Sequence, residues 1–239
     1  MEIKIVFDNE TKNKKYFTGW GFSAIINNTI LFDTGKDPES LISNMNNMNI
    51  ETAKLEAVII SHDHWDHTGG LWELLKLRPG LIVYSCPHFS QEFKRRVASF
   101  SAHLIEVDTL TGIAKGIYTT GEIEGKYKGT FIGEQSLIVK THRGICVITG
   151  CAHPGIRTIL DRVKNFFHSD SIYLVLGGFH LKDTGSSLLP AIMEKFKELH
   201  VAKICPAHCT GQRAIQFFKA NYKEDCIESK IGQTLYRGR

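Results

Sequence analysis

The residues with the clearest chemical potential lie in one short segment, SHDHWDHTGG, at positions 61–70. Imidazole and carboxylate groups fill five of six consecutive positions there: His62, Asp63, His64, Asp66 and His67. This mixture of ligand types suits zinc, manganese or iron. A bound ion of that kind lowers the pKa of a water molecule to about 7 and yields hydroxide at neutral pH. The density of such groups predicts a metal site, because a solvated polar loop has no need of five of them.

The segment lies between a predicted strand and a predicted helix. LEAVII at 55–60 is apolar and β-branched, and GGLWELLKL at 69–77 has apolar residues at helical spacing. His62 and His64 can project together from an extended segment, whereas Asp66 and His67 belong to the turn that enters the helix. Because open sheets bind ligands at the carboxyl ends of their strands, we expect the metal site at that edge.

Two more apolar strands end in turns that carry histidine. ICVITGCAHPGI at 145–156 contains His153, and AKICPAHCTG at 202–211 contains His208. We predict both histidines as metal ligands, because both repeat the strand-to-loop placement of the first cluster.

A fourth strand, YLVLGGFHL at 173–181, ends at His180. This histidine could bind a metal or fill the core. We favour a catalytic role, in which it gives a proton to a leaving group or holds an anionic substrate oxygen.

The elements that must position these residues alternate along the chain. Apolar runs predict strands at 3–7, 22–26, 29–32, 55–60, 81–85, 103–107, 136–140, 145–149, 172–176 and 202–205. Helical patterns lie at 38–49, 69–77, 88–98, 154–167, 187–199 and 211–222. This interleaving predicts an α/β fold with two mixed sheets packed face to face and helices outside. The stretch 119–135, rich in glycine and lysine, is expected to be an exposed, mobile loop.

Composition narrows the class of protein. The 239 residues can bury a substantial core, and 42% hydrophobic with 23% charged residues is ordinary for a soluble globular protein. A net charge of +4 is too small to indicate nucleic acid and leaves an anionic small molecule as the expected partner. No signal peptide, membrane-spanning run or disulfide-type cysteine spacing is visible. These features predict a cytoplasmic protein with reduced thiols and no membrane partner, of open oligomeric state.

The dense cluster also carries a family resemblance. His62, His64, Asp66 and His67 match the signature H-x-H-x-D-H, and so the chain resembles the metallo-β-lactamase superfamily. LFDTG at 31–35 is similar to that superfamily's early strand and aspartate turn, with Asp33 in a supporting role. The resemblance covers nearly the whole chain, and it implies a single domain over 1–239 with an αββα sandwich, α/β or α+β by different schemes.

The resemblance implies a metal centre as well. Family members typically bind two divalent ions bridged by water or hydroxide; zinc is the first expectation, with manganese, iron or magnesium as alternatives. Asp66 is expected to be both a ligand and a catalytic residue.

The chain departs from the family pattern at two places. Family members usually end the TG strand with an aspartate that bridges both metals, and Cys151 stands there in this chain. Cys151 could ligate as a thiolate, or His153 could take over. Many members also carry a histidine near 118–125, where Glu122 is the nearest ligand-type residue. Whether one metal or two bind therefore stays open.

Two aromatic residues lie beside proposed ligands. Trp65 and Phe179 either wall the substrate pocket, stacking on a flat substrate, or pack in the core.

Three further motifs, TGCAHPGI, GGFHL and PAHCTG, together resemble a narrower group within the superfamily. Its members are often named for 7,8-dihydropterin-6-ylmethyl-4-(β-D-ribofuranosyl)aminobenzene-5′-phosphate synthase, and YTTGEI and EQSLIV fit that group too. The name implies displacement of pyrophosphate from a pterin-methyl group by an arylamine.

Three functions follow as hypotheses. The leading one is a metal-dependent hydrolase that uses a metal-activated hydroxide on a phosphate-bearing or ester-like small molecule. The first alternative is a transferase that joins a dihydropterin-methyl diphosphate to an arylamine ribofuranosyl phosphate. The second alternative is a non-catalytic metal-binding or redox-sensing module.

Overall fold

The computed structural model describes residues 1–11, 13–168, 170–183, 185 and 187–238. The chain divides into two compact units. The first unit consists of Met1–Val107 and Ser229–Arg239, and the second consists of Asp108–Glu228. Each unit has its own mixed sheet and its own buried core. The single domain over 1–239 stays a prediction.

The elements alternate much as the sequence indicates. The strands are β1 (Glu2–Phe7), β2 (Ser23–Ile26), β3 (Ile30–Phe32), β4 (Ala57–Ile59), β5 (Ile82–Ser85), β6 (His103–Glu106), β7 (Thr111–Ala114), β8 (Ile117–Thr119), β9 (Ile123–Tyr127), β10 (Thr130–Glu134), β11 (Leu137–Thr141), β12 (Gly144–Thr149), β13 (Ile172–Gly178), β14 (Lys203–Ala207) and β15 (Thr234–Arg237). The helices are α1 (Pro38–Asn47), α2 (Trp65–Thr68), α3 (Leu71–Leu77), α4 (Gln91–Ser99), α5 (Ile156–Phe166), α6 (Leu188–Glu198) and α7 (Gln212–Tyr222).

The first unit contains a seven-stranded sheet in the order β15-β1-β2-β3-β4-β5-β6. The pairs from β15 to β3 are antiparallel, and those from β3 to β6 are parallel. Parallel neighbours need a crossover connection, and α1, α3 and α4 lie in the three crossovers. These helices bury Leu41, Leu74 and Phe93 in one apolar cluster with strand residues such as Val58 and Val83. The parallel half thus presents the ends of four strands at one edge.

The second unit repeats this arrangement in a six-stranded sheet, β14-β13-β12-β11-β8-β7. The strands β12, β13 and β14 are parallel, and the remaining neighbours are antiparallel. The crossover helices α5 and α6 bury Leu160 and Phe196 with Val147, Val175 and Ile204 of the strands. Two mixed sheets flanked by helices are therefore confirmed.

The stretch 119–135 was predicted as a mobile loop, and that prediction is wrong. The strands β9 and β10 pair over their full length as an antiparallel hairpin. Lys128 (φ 49°) and Gly129 (φ 81°) form its two-residue turn, and paired positive φ angles of this kind match the twist of the flanking strands. Position 125 requires glycine, because a Cβ there would lie 2.8 Å from the backbone nitrogen of Pro154. This glycine interrupts the alternation of apolar residues along β9. That interruption hid the strand pattern.

Each predicted strand and helix has a counterpart in the structure, with ends that shift by a few residues. The sequence reasoning missed β7, β8, β9, β10 and β15. The strands β7, β9 and β10 each contain a glycine, and β8 and β15 have only three and four residues. Among the residues that the structure describes, no helix is both long enough and apolar enough to cross a membrane.

Candidate functional site

Four predicted ligands cluster in the first unit just beyond the carboxyl end of β4. The ring of His62 lies 4.6 Å from that of His64 and 4.1 Å from that of His67, measured between centroids. The Asp66 carboxylate lies 3.6 Å from His67 Nε2. His64 precedes the short helix α2, and Asp66 and His67 lie within it, both buried. The turn into the helix thus gathers the four side chains, as their spacing predicts.

A buried carboxylate holds two of these rings. Asp33, in the left-handed region at φ 55°, accepts hydrogen bonds from the Ser61 backbone N–H and from the Ser61 hydroxyl, both 2.7 Å. His67 Nδ1 lies 2.7 Å from Asp33 Oδ2, and His62 Nδ1 lies 2.8 Å from Ser61 Oγ. Because Ser61 gives its proton to Asp33, its oxygen accepts from His62. Both rings then carry the lone pair on Nε2, the tautomer that suits a metal ligand.

These contacts support the role predicted for Asp33, which stays a prediction, and Ser61 is an addition that the sequence reasoning missed. Its signal was its position directly before the first histidine of the motif. Burial raises the pKa of the Asp33 carboxyl, and the neighbouring His67 and Ser61 only partly offset that effect.

Two other residues of the motif point elsewhere. Asp63 accepts the backbone N–H of Ser90 at 2.9 Å, at the residue that caps α4, and burial raises the pKa of its carboxyl. The side chain of Trp65 is 62% exposed at the start of α2. Asp63 therefore anchors the loop to α4, and a role of Trp65 toward substrate stays a prediction.

A second cluster forms in the second unit beyond the ends of β12, β13 and β14. One ligand atom from each of Cys151, His153 and His180 lies within 4.8 Å of the other two. The same holds for Cys151, His208 and Cys209. The rings of His153 and His180 are 4.5 Å apart. The three parallel strands thus bring together four predicted residues and a fifth, Cys209.

Glu134 organises this second cluster and was missed by the sequence reasoning. It lies at the end of β10, fully buried, and accepts backbone N–H bonds from Cys151 (3.0 Å), Ala152 (2.7 Å) and His153 (2.8 Å). His153 Nδ1 also lies 2.8 Å from Glu134 Oε2. This contact fixes His153 in the tautomer with its lone pair on Nε2. The available signal was a glutamate three residues before the buried strand β11, and many sequences contain such a glutamate.

The two buried carboxylates differ in their electrostatics. Burial alone would raise the pKa of Glu134, but the His153 ring and the backbone N–H groups lower it below the usual carboxyl value. Asp33 accepts only one backbone N–H bond among the residues that the structure describes, so the effect of burial prevails there. Several N–H donors on one carboxylate strongly favour its charged form.

Glu122 lies close to Gly133 of the hairpin, because a Cβ on that glycine would overlap its carboxylate. Within the described ranges, Glu122 belongs to none of the groups whose ligand atoms converge. A supporting or substrate-binding role for Glu122 stays a prediction.

The thiol of Cys209 and the ring of His180 are hydrogen-bonded to each other. Burial raises the pKa of Cys209, but hydrogen bonds with Cys151 and His180 and the nearby His208 bring it well below the usual thiol value. The hydrogen bond with Cys209 raises the pKa of His180 against the opposing effect of burial. The pair therefore favours thiolate and imidazolium.

A cavity of about 480 Å³ lies against His153 and His180 in the second unit. Its polar side chains include Arg157, Thr158 and Asp161. Its apolar wall consists of Ile156, Phe179, Leu181, Leu188 and Ile192. The volume falls within the range of small-molecule sites. Phe179 lines this cavity, and its ring also contacts Phe196 and Phe218 in the core. A role of Phe179 toward substrate stays a prediction.

This fold and these histidine-rich strand ends define a known class. Residues 25–208 match the family model of the metallo-beta-lactamase superfamily. The chain belongs to that superfamily, as its H-x-H-x-D-H motif predicts.

One curated relative is similar to this chain over most of its length. The chain is 30% identical over 249 aligned residues to 7,8-dihydropterin-6-methyl-4-(beta-D-ribofuranosyl)-aminobenzene-5'-phosphate synthase from Methanocaldococcus jannaschii. That alignment covers 88% of this chain and 85% of the synthase.

Solved structures show the same fold. A crystal structure of a metal-dependent hydrolase of the beta-lactamase superfamily superposes with a TM-score of 0.84 and 28% identity, and all of both chains is covered. The metallo-beta-lactamase fold protein YhfI from Bacillus subtilis has a TM-score of 0.69 at 14% identity, with 98% and 99% of the two chains covered. The predicted family and fold are confirmed.

The superfamily usually binds divalent metal ions, and the donor groups of this chain fit such ions. Three predicted ligand histidines, His62, His67 and His153, have Nδ1 held by an oxygen atom. Outer contacts of this kind orient metal-binding imidazoles.

Proposed function

We propose that the chain is a metal-dependent enzyme. Its superfamily membership supports metal dependence, and the oxygen-anchored rings support the choice of ligands. When bound, divalent ions would supply Lewis acidity to an oxygen of the substrate and acidify water. The proposed ligands are His62, His64, Asp66, His67, His153 and His208, with Asp66 also serving in catalysis.

For the reaction, we propose transfer of a dihydropterin-methyl group from its diphosphate to the amine of an arylamine ribofuranosyl phosphate. The amine nitrogen forms a bond to the methylene carbon, the carbon–oxygen bond to diphosphate breaks with its electron pair, and one proton leaves the nitrogen. The observation that carries this proposal is the 30% identity to the synthase across 88% of this chain. It favours the transferase alternative over the hydrolase that led the sequence hypotheses.

The second unit offers suitable groups for such a substrate. The cavity beside His153 and His180 has an apolar wall for a flat ring and the guanidinium of Arg157 for a phosphate. His180 is the proposed proton donor to the departing diphosphate oxygen. Its pKa is raised, mainly by the hydrogen bond with Cys209, and this shift favours the protonated form that a proton donor needs.

A hydrolase is the second candidate, and one observation favours it. The crystal structure with a TM-score of 0.84 and 28% identity is that of a metal-dependent hydrolase. In this case water takes the place of the arylamine, and phosphate esters, lactones or thioesters are the substrates to test.

The deciding experiment is an assay panel on the full chain loaded with zinc, manganese or iron. The main substrate is a dihydropterin-methyl diphosphate, supplied with and without the arylamine acceptor, and pyrophosphate release and product mass are recorded. Pyrophosphate release that requires the acceptor supports the transferase. Equal release without the acceptor, or turnover only of phosphodiesters, phosphomonoesters, lactones or thioesters, would identify a hydrolase instead.

The role of His180 has its own test. His180→Ala should keep near-normal metal content while turnover falls by about 10²–10⁴-fold, the usual worth of general acid catalysis. The exposed His200 of the same unit provides the control, and His200→Ala should leave both quantities unchanged. Metal loss in His180→Ala would make His180 a ligand, and an unchanged rate would remove it from the catalytic residues.

A further inference from the structure

Two buried cysteines of the second unit form a close pair. Cys151 follows β12 and Cys209 follows β14, and each is 4% exposed. Their Sγ atoms are 3.3 Å apart, and Cys209 Sγ lies 3.7 Å from the carbonyl oxygen of Cys151. The pair therefore offers two sulfur donors to one point from the two outer strands of the parallel set.

The distance between the sulfurs suits a shared metal ion better than a disulfide. A tetrahedral ion with two metal–sulfur bonds of about 2.3 Å holds its sulfurs about 3.8 Å apart. The pair would open by about half an ångström to reach that geometry. A disulfide of about 2.05 Å would require an approach of more than an ångström. His208 supplies a third donor, since its ligand atom and both sulfurs lie within 4.8 Å of one another.

The backbone around the pair makes room for the sulfur. A Cβ on Gly178 of β13 would lie 2.6 Å from Cys209 Sγ and would overlap the carbonyl oxygen of Gly150. Glycine at this position thus allows the thiol to lie against the middle strand. This contact gives the second glycine of the GGFHL motif a physical reason.

Hydrogen bonds fix both cysteine segments. The Cys151 N–H donates to Glu134, and the Cys209 carbonyl accepts from the N–H groups of Leu181 (3.2 Å) and Lys182 (3.1 Å). A site whose ligand segments are already held requires little reorganisation when an ion binds.

We propose that Cys151, Cys209 and His208 form a sulfur-containing metal position that selects zinc or another thiophilic ion over magnesium and manganese. Thiolates prefer soft or borderline ions, whereas magnesium and manganese prefer oxygen ligands. Both thiols release their protons on binding, and two thiolates balance the charge of a divalent ion. This inference rests on the proposed metal dependence of the chain and is independent of the proposed reaction.

Cobalt(II) is the probe for the test, because thiolate ligands give it charge-transfer absorption in the near ultraviolet. The full chain, reduced and metal-free, is titrated with cobalt(II) without oxygen. We expect a sulfur band that falls by about half in Cys151→Ser and in Cys209→Ser and disappears in the double variant. Cys205 is the matched control, since it is buried on β14 three residues before His208, and Cys205→Ser should keep the full band.

Affinity provides a second readout. In competition with a chelator, Cys209→Ser should bind zinc more than about 100-fold more weakly, beyond the 10–100-fold that loss of an outer contact costs. Magnesium and manganese at millimolar concentration should leave the cobalt band of the wild-type chain unchanged. Their displacement of cobalt would overturn the proposed selectivity.

X-ray absorption at the zinc edge of the wild-type chain keeps the proposal testable if a serine variant fails to fold. Scattering from sulfur at about 2.3 Å supports it, and a shell of only nitrogen and oxygen at about 2.0–2.1 Å would overturn it. An unaltered band in Cys209→Ser, or an equal loss in Cys205→Ser, would overturn it as well.

The cobalt spectrum and the activity assay can fail independently, so they test the two proposals separately. A chain with sulfur bands and no turnover on any substrate retains this metal position and refutes the enzymatic function. An active chain without sulfur bands supports the enzymatic function and refutes this metal position.

Discussion

Replacing Glu134 by glutamine tests how the second cluster is held together. The substitution keeps the size and shape of the side chain but replaces one carboxylate oxygen with an NH₂ group. In the native chain, Oε1 accepts from the N–H groups of Cys151 and Ala152, and Oε2 accepts from the N–H and the ring of His153. Whichever way the amide is turned, two donors face its NH₂ group.

The expected magnitude follows from those two lost contacts. A hydrogen bond to a charged group is worth about 1.5–3 kcal/mol, so Glu134→Gln should lower the free energy of unfolding by about 3–6 kcal/mol. In either orientation the His153 ring loses its charged partner, and zinc affinity should fall by about 10–100-fold.

Two measurements check this prediction. Urea unfolding of the metal-free chain gives the stability change, and competition with a chelator gives zinc affinity. Glu124, exposed on the neighbouring strand β9, is the control, and Glu124→Gln should stay within about 0.5 kcal/mol of the wild type. A loss below about 1 kcal/mol in Glu134→Gln with unchanged zinc affinity would refute the idea that this carboxylate organises the cluster.

Three further predictions concern separate features. Ser61→Ala removes the hydroxyl between Asp33 and His62 and should weaken zinc binding by about 10–100-fold; unchanged affinity in chelator competition would argue against the assigned tautomer. Gly129→Ala should lower the free energy of unfolding in urea by about 1–2 kcal/mol, because φ is 81° and a side chain is strained there. A Cβ at this position has no neighbour within 4 Å, so no clash adds to that strain. A neutral effect would contradict the left-handed turn. The pKa of Glu134 lies below the usual carboxyl value, so its stabilisation is full above that value and is lost as the pH falls through the folded-state pKa. The stability gap between the wild type and Glu134→Gln should therefore narrow on acidification, and a gap that widens in urea unfolding at low pH would contradict the assigned shift.

The sequence was most informative where a repeated local pattern carried the information. His62, His153, His180 and His208 each follow an apolar run, and such a run places the next residues at a strand end whatever the rest of the chain does. The helices were equally accessible, because their apolar residues recur at helical spacing, and α1 also has Asp37 as its N-cap before Pro38.

What the sequence could not reveal depends on residues far apart along the chain. Glu134 meets His153 across 19 positions, and Cys209 meets Cys151 across 58. No local sequence pattern links the two residues of either pair, because only the order of the strands in the sheet brings them together. The β9–β10 hairpin was missed for a related reason. Position 125 requires glycine because the backbone of residues 153–154 lies against it, and this contact is not visible in the sequence.

The first unit is interrupted by the second, and this order has a consequence during synthesis. The strand β1 obtains its outer neighbour β15 only after residues 234–237 have been made, with Glu2 opposite Arg237 and Ile3 opposite Tyr236. Until then β1 is an edge strand, and an open edge is a template for pairing with another chain. A nascent or truncated chain that lacks β15 would therefore be prone to aggregate on the ribosome or soon after release, although it contains every proposed metal ligand.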